Sequence, residues 1–491
     1  MVANYVPQVS SWEFMRRLVV GSLPTTKLSE NGLTASVRST LVWVCRGPRL
    51  VLGSSAPVLV KKLLILSPHF PPINAPDMQR VRMALPYLRS HGWEPTVLAI
   101  APESIEGGVL DRKLIDTFPA DIRVIRARGL SPRFTRWAGI GNLWLRCGWA
   151  FARAGERLLR EEKFDLAFIS TTQFSAFALG PRWKRKFGLR YVLDYQDPWI
   201  NDYYQITGAD PPGGRVKFAL SQFQATVIEP AALRDSSGVI AVSNSYATML
   251  SNQYPWFLSG KVKILPFGAA AADFACLGDH VPEKPIIDFS DGLFHQVYVG
   301  RCGPDMSIAL KILFLAFRLF REAHPDRAER MRFHFIGTDY APPPLGRDWA
   351  LPVALEEGVE GFVREHRYRV PYFDSLYYLK NADTLIAVGS NDPTYSASKF
   401  FSYILAKRPL LMIFHNQSPV LRFAKTLSTA FSYGFEDAAD ISRIAESVSR
   451  QWFADGSSPE NRPFDEAAFS TFTSEHMVKG LVQAFDDALK A

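Results

Sequence analysis

The sequence predicts an α/β protein of two doubly wound halves that face each other across a cleft. Three stretches carry that prediction. Residues 61–100 read as strand, proline-rich loop, helix and second strand, a βαβ opening. The pattern starts again near Gln296, where the strand VYV leads into a helix with Ile308, Ile312, Leu315 and Leu319 on one face. Residues 384–414 repeat it as TLIAV, a polar loop, a helix stopped by Pro409 and the apolar run LLMIF.

Each element follows from its local pattern. Residues 1–59 mix Ser, Thr, Pro and Arg without a sustained period, and read as a poorly structured N-terminal extension. LLILS at 63–67 is a buried strand, and the loop 68–76 enters a helix near Asp77, with Val81, Leu85 and Leu88 facing inward. Gly92 ends that helix and 96–100 is the second strand. DIRVIRA (121–127) is a third strand. Residues 131–161 form a long basic helical region in which Phe134, Trp137, Leu143, Trp144, Leu145, Trp149 and Phe151 lie among arginines. Such a mixture suits either a core-facing helix with a solvated basic side or contact with an anionic membrane.

DLAFIS (165–170) and YVLD (191–194) are further strands. Ligands of open α/β sheets sit beyond the carboxyl ends of the strands. Thr172, Gln173, Asp194 and Asp197 are therefore placed for polar chemistry, with Gln173 and Asp197 as the catalytic candidates. The plain alternative for Asp197 is a turn cap before Pro198. GVIAV (238–242) and VKIL (262–265) complete the first half. In the second half RFHFIG (332–337) is a strand, and residues 473–490 form a last amphipathic helix. At 389–397 the polar loop before the next helix offers backbone N–H groups and a positive dipole end, a place for a phosphate. Ser398 can cap that helix and Lys399 adds a full charge.

Composition narrows the class. The chain is 47% hydrophobic and 21% charged, as in ordinary globular proteins. Four scattered cysteines without CxxC spacing argue against a disulfide framework or a zinc site. A net charge of +8 favours anionic partners, but no nucleic-acid motif accompanies it. No G-x-G-x-x-G is present, which disfavours a dinucleotide-dependent dehydrogenase. No apolar run is long enough to span a membrane, and no signal peptide is read at the start.

Several of these segments resemble the GT-B glycosyltransferases, the family-4 group in particular. SKFFSYILAKRP (398–409) is similar to that group's SK-x-x-E-Y-x-A-x-G-x-P, with Ser398, Lys399, Tyr403, Ala406 and Pro409 matching. Ser402 and Thr394 stand where the group has two glutamates, and Lys407 stands for its glycine. Phe70, Pro71 and Pro72 match an FPP loop; residues 91–94 match the HGHE that follows; DPW at 197–199 and AVS at 241–243 match later segments. Gly300 and Arg301 match a phosphate-gripping GR, whereas Met306 and Ser307 replace its Lys and Gly.

The resemblance, over residues 61–491, implies two Rossmann-like doubly wound domains facing a cleft. Residues 60–268 would be the acceptor domain, 269–472 the nucleotide-sugar domain, and 473–491 a helix crossing back to the first. Gly300, Arg301, Thr394, Ser398, Lys399 and Ser402 would bind the donor, with His69, Phe70 and Asp77 on the acceptor side. The implied activity is transfer from a nucleotide sugar to a glycan or lipid-linked acceptor, as in polysaccharide biosynthesis. It would be retaining, metal-independent and without a cofactor beyond the donor, in the cytoplasm or peripherally at the inner face of the membrane. Because both signature glutamates are missing, an inactive GT-B binding or assembly protein is the rival. A nucleotide-sugar epimerase of the same fold has no motif in its favour.

Overall fold

The computed structural model describes residues 60–137, 141–200, 215–339, 341, 344–393, 400–427, 430–455 and 466–490. The N-terminal extension, Thr394, Ser398 and Lys399 lie outside the described residues. From Val60 onward the chain is one compact unit.

That unit is built on two parallel sheets. The first contains β1 (Lys61–Leu66), β2 (Trp93–Ile100), β3 (Arg123–Ala127), β4 (Leu166–Ser170), β5 (Arg190–Tyr195), β6 (Gly238–Ala241) and β7 (Val262–Ile264), in the order β3-β2-β1-β4-β5-β6-β7. The second contains β8 (Phe294–Val299), β9 (Met331–Ile336), β10 (Val363–His366), β11 (Thr384–Val388), β12 (Leu410–His415) and β13 (Ala430–Phe435), in the order β10-β9-β8-β11-β12-β13. In both sheets the order reverses beside the first strand, between β1 and β4 and between β8 and β11. That switch point is where a doubly wound sheet leaves a crevice for a ligand. The strands read from the sequence at 63–66, 96–100, 166–169 and 191–193 fall in the first sheet, and those at 297–299, 333–336 and 385–388 in the second.

Burial on both faces explains the uninterrupted apolar strands: Leu63, Leu64 and Leu66 are all fully buried. One face of the first sheet is covered by α1 (Gln79–Leu88), which buries Val81, Leu85 and Leu88 as the spacing predicts. The predicted region 131–161 is two helices, α2 (Pro132–Trp137) and α3 (Leu143–Glu161), and α3 covers the other face. Asn142 caps α3 through the amides of Trp144 and Leu145. Next to it runs α4 (Leu179–Phe187), whose Trp183 lies so close that a Cβ on Gly155 would stand 2.4 Å from the ring. The layer is completed by α5 (Arg215–Asp235) and α6 (Asn244–Gln253).

The connection between the sheets is more ordered than its composition suggests, because it contains α7 (Ala271–Leu277). In the second half, α8 (Ser307–Ala323), α9 (Tyr372–Asn381) and the short α10 (Phe400–Leu405) flank the sheet. Lys407 follows α10 at φ 53°, the left-handed backbone for which the resembling sequences use glycine. The final helix, α11 (Ser474–Lys490), returns to the first sheet. Its Phe485 packs edge-on to Trp93 and Phe168 at 5.5 and 5.1 Å, and Asp486 bridges Lys61.

Three histidines from neighbouring strands meet in the second sheet. His295 Nδ1 lies 3.0 Å from His334 Nε2, and the His334 ring stacks on His366. Burial, then the neighbouring His295 and His366, pushes the His334 pKa down to about 3. An ordinary unfolded histidine titrates near 6.5. The neutral ring therefore supports the fold fully above pH 6.5, and that support declines as pH falls from 6.5 towards 3. The slope approaches about 1.4 kcal/mol per pH unit for one proton. Thermal melts between pH 7.5 and 4.5 should show His334→Leu losing less stability on acidification than the wild type. Parallel curves would mean that His334 carries no such linkage.

Candidate active site

The carboxyl edge of the first sheet is organised by buried carboxylates. After β1, the loop turns with Ser67 donating to the His69 carbonyl, and Pro76 and Asp77 start the turn into α1. The Asp77 carboxylate is buried. It accepts from His69 Nδ1 at 2.9 and 3.0 Å, from the Thr171 hydroxyl at 2.9 Å and from the Thr172 amide at 3.3 Å. Burial alone would raise its pKa, but the hydrogen bond and charge of His69, then the Thr171 and Thr172 bonds, more than offset that and hold it low. An ionised carboxylate only accepts, so Nδ1 of His69 carries the hydrogen, and in the neutral tautomer Nε2 would be an acceptor.

Asp194, read from the sequence as available for chemistry, is instead committed to structure. It is fully buried and accepts from Arg80 Nε at 2.9 Å, the Ser170 hydroxyl at 2.7 Å and the Gln196 amide at 3.1 Å. Arg80 also donates to the Leu265 carbonyl, and Gln196 to the Asp77 carbonyl. Asp197 lies just beyond. Its side chain is exposed to solvent, yet protein crowds it enough that desolvation, then the Asp77 charge, raises its pKa. Tyr246 is pushed up to about 12, first by burial and then by Asp197. Gln173 is half-buried, with its backbone amide on Thr171 Oγ1. Phe70 is fully buried against Phe118 at 5.3 Å, so it packs the acceptor loop and offers no surface to a ligand.

On the second sheet, Gly300 and Arg301 follow β8. The Arg301 guanidinium forks onto Asp305 at 2.9 and 2.8 Å. Burial would raise the Asp305 pKa, but Arg301 and Ser390 hold it low. The Asp305 carbonyl accepts the Asn391 amide at 2.6 Å, tying this turn to the end of β11. Met306, at the position of the expected lysine, is fully buried. Tyr403 is an anchor: its hydroxyl accepts from the Val299 amide at 2.7 Å and donates to the Val299 carbonyl at 3.0 Å. Ser402 is half-buried on α10.

Met78, next to Asp77, is buried in the large apolar cluster that holds the core of the second sheet, Met306 and Tyr298 included. The His69–Asp77 pair follows β1 and the Arg301–Asp305 pair follows β8, each beside the switch point of its own sheet. The convergence of Arg301 with Lys399 falls outside the described residues. Sequence reasoning missed Arg80, Gln196 and Asp305; of these, only Asp305 left a local signal, an acid four residues after Arg301.

Residues 79–268 match the glycosyl transferase 4-like domain family. No curated protein matches the chain. Among solved structures, the N-terminal domain of Candida albicans trehalose-6-phosphate phosphatase superposes with a TM-score of 0.54 at 12% identity, covering 89% of this chain and 98% of that one. Anabaena HepE in complex with UDP gives 0.51 at 13% identity, covering 87% and 99%. The UDP-forming trehalose-phosphate synthase of Burkholderia xenovorans, in complex with glucose-6-phosphate, gives 0.50 at 11%, covering 86% and 100%. The fold is the GT-B fold of these structures, and within it residues 79–268 carry the match to the glycosyl transferase 4-like domain. That region begins with α1 and ends at Gly268, just after β7.

Asp77→Asn should cost about 1–3 kcal/mol at neutral pH, because it removes the charge that His69, Thr171 and Thr172 hydrogen-bond. Asp77 has a lowered pKa, so its contribution is present above the ordinary carboxylate range and fades as pH falls through the folded value. Denaturant titrations of the two proteins at neutral and acidic pH should therefore converge on the acid side.

Proposed function

We propose that the chain moves a sugar from a nucleotide-sugar donor to a glycan or lipid-linked acceptor, as in polysaccharide assembly in the cytoplasm. The observation that carries this reading is an Asp-held histidine after β1 and a carboxylate-held arginine after β8, each beside the switch point of its parallel sheet. HepE and the Burkholderia synthase, whose structures hold UDP and glucose-6-phosphate, share the fold and support the same direction.

In this reading the donor lies on the second half. Arg301 faces the leaving diphosphate, whose charge grows in the transition state, and Asp305 fixes the plane of its guanidinium. Ser398, Lys399 and the loop N–H groups complete the phosphate grip. Ser402 and Thr394 replace the ribose-binding glutamates with neutral hydroxyls, which hold a ribose more weakly. On the first half, His69 Nε2 accepts from the acceptor hydroxyl and aims it, with Asp197 and Gln173 beside it. A groove of about 1010 Å³ opens at Pro198 and Ile200, lined across from them by Asn244, Ser245, Thr248 and Asn252. Its surface is more apolar than polar, Met249 included, and these amides and hydroxyls are the groups that would meet an acceptor's hydroxyls. Retention, independence of a metal and the absence of any further cofactor belong to the proposal through the resemblance. The rival, a GT-B scaffold without transfer, draws on one observation: Arg301 is already neutralised by Asp305.

A thermal-shift panel of UDP-, GDP-, ADP- and dTDP-sugars tests the donor side. A ligand that binds only the folded chain raises its midpoint. At least one donor should do so; Arg301→Ala should abolish the rise, and Ser402→Ala should reduce affinity by about 0.5–1.5 kcal/mol. A silent panel would favour the scaffold.

With the active donor and a panel of alkyl glycosides as acceptors, His69→Gln should keep donor affinity. It should lower transfer by about tenfold, the worth of one well-aimed hydrogen bond. An unchanged rate would remove His69 from the acceptor site.

A further inference from the structure

We propose that the outer face of α3, together with α2, docks on an anionic lipid surface. The purpose of that docking rests on the transfer reading, since a lipid-linked acceptor resides in such a surface; the docking itself does not. The face is unusual in what it leaves in water. Trp149 is 52% exposed, Leu145 47%, Leu130 49% and Phe134 81%. Large apolar side chains scattered singly need no explanation, but these are grouped. Leu145 and Trp149 are one turn apart on α3. The Leu130 amide donates to the Arg146 carbonyl, so the segment leading into α2 lies against the first turn of the same helix.

The inward side of α3 carries its packing on the sheet, and the outer row takes no part in that core. Cys147, Phe151 and Leu158 are buried on the sheet, Arg146 is buried with a bond to the Ser104 carbonyl, and Glu156 is buried under Arg182 and Lys186. Going round from Leu145, the exposed row continues at four-residue steps through Trp149, Arg153 and Arg157, with Arg160 beside it. Arg157 makes an exposed ion pair with Glu161, of a kind that water and salt screen, whereas Arg160 reaches back to the buried Glu156. Arg128, 83% exposed and paired with Glu103 at 3.0 Å, flanks the other end.

Aromatic and leucine side chains at one end of a helix face with arginines along it match an interface whose outer layer is negative and whose next layer is apolar. The arginines supply the electrostatic approach and the indole and leucine the insertion to headgroup depth. Charge complementarity of this sort singles out an anionic bilayer over a second, equally basic copy of the same face. No described helix is long and apolar enough to cross a membrane, so the contact is peripheral.

Flotation of the full chain with large vesicles tests this. The protein should float with phosphatidylcholine–phosphatidylglycerol vesicles, less at high salt, and stay behind with phosphatidylcholine alone. Leu145→Ser combined with Trp149→Ser, and separately Arg153→Glu combined with Arg157→Glu, should each reduce the bound fraction by about tenfold. All four side chains are exposed, so melting midpoints and nucleotide-sugar shifts should not move. Absence of binding to the anionic vesicles overturns the proposal. So does binding that neither double variant weakens, which would assign the membrane to another part of the chain. Sedimentation velocity showing a dimer that these variants dissociate would assign the face to a second copy. Loss of the donor shift with vesicle binding intact would refute the transfer reading and leave this one standing.

Discussion

The arrangement of the two sheets depends on one buried ion pair. Arg82, on α1 of the first half, donates through both terminal nitrogens to Asp273 on α7 of the connection, at 2.5 and 2.7 Å. Tyr372, at the start of α9 in the second half, donates its hydroxyl to the same carboxylate at 2.5 Å, and the guanidinium lies over its ring. Three elements from three parts of the chain are thus held at one charge. All three groups are withdrawn from water. Losing one partner would strand a buried charge, which costs about 3–5 kcal/mol, far more than the pair adds over an apolar substitute. What the pair supplies is a fixed relation between the halves. Nearby, Asp111 of the first half accepts the Tyr372 amide at 3.0 Å, satisfying an amide at the first turn of the helix across the junction.

The same device recurs at the candidate site. Asp77 holds His69, Asp194 holds Arg80 and Gln196, and Asp305 holds Arg301. In each case a carboxylate at or beyond the end of a strand fixes a side chain that would otherwise sample many rotamers. A transferase needs such groups aimed before the substrate arrives, because a fixed dipole stabilises charge without reorganising. The cost is that a group so held is partly neutralised. That cost is greatest at Arg301, where Asp305 stands in the place a phosphate would take. In the proposed reading a donor phosphate would share the guanidinium, which has five donors, or displace the carboxylate.

The architecture was legible in the sequence because it is written in short range. Runs such as LLIL and TLIAV can only be strands buried on two faces, and Gly92 and Pro409 stop their helices by local geometry. The glycine-for-lysine exchange at 407 was also visible, and the left-handed backbone there shows why glycine is the usual residue. The region 131–161, read as one long helical region, holds two helices, and the second start is set by the Asn142 cap. Phe70 matched a motif and turned out to be core, because a motif match does not state which way a ring points.

By itself the sequence determined the fold class, the parallel strands and their grouping, and which polar residues lie near the strand ends. Those properties depend on periodicity and on which residues tolerate which backbone, and neighbours in sequence decide both. Only the tertiary structure decided what each polar residue does there. Asp194 and Asp197 are three residues apart, yet one is fully buried on Arg80 and the other faces solvent with a raised pKa. Asp77 meets Thr171 across 94 residues, and Arg82 meets Asp273 across 191. A carboxylate's role is set by the charges and donors that folding brings within a few ångströms of it, and no local pattern encodes those.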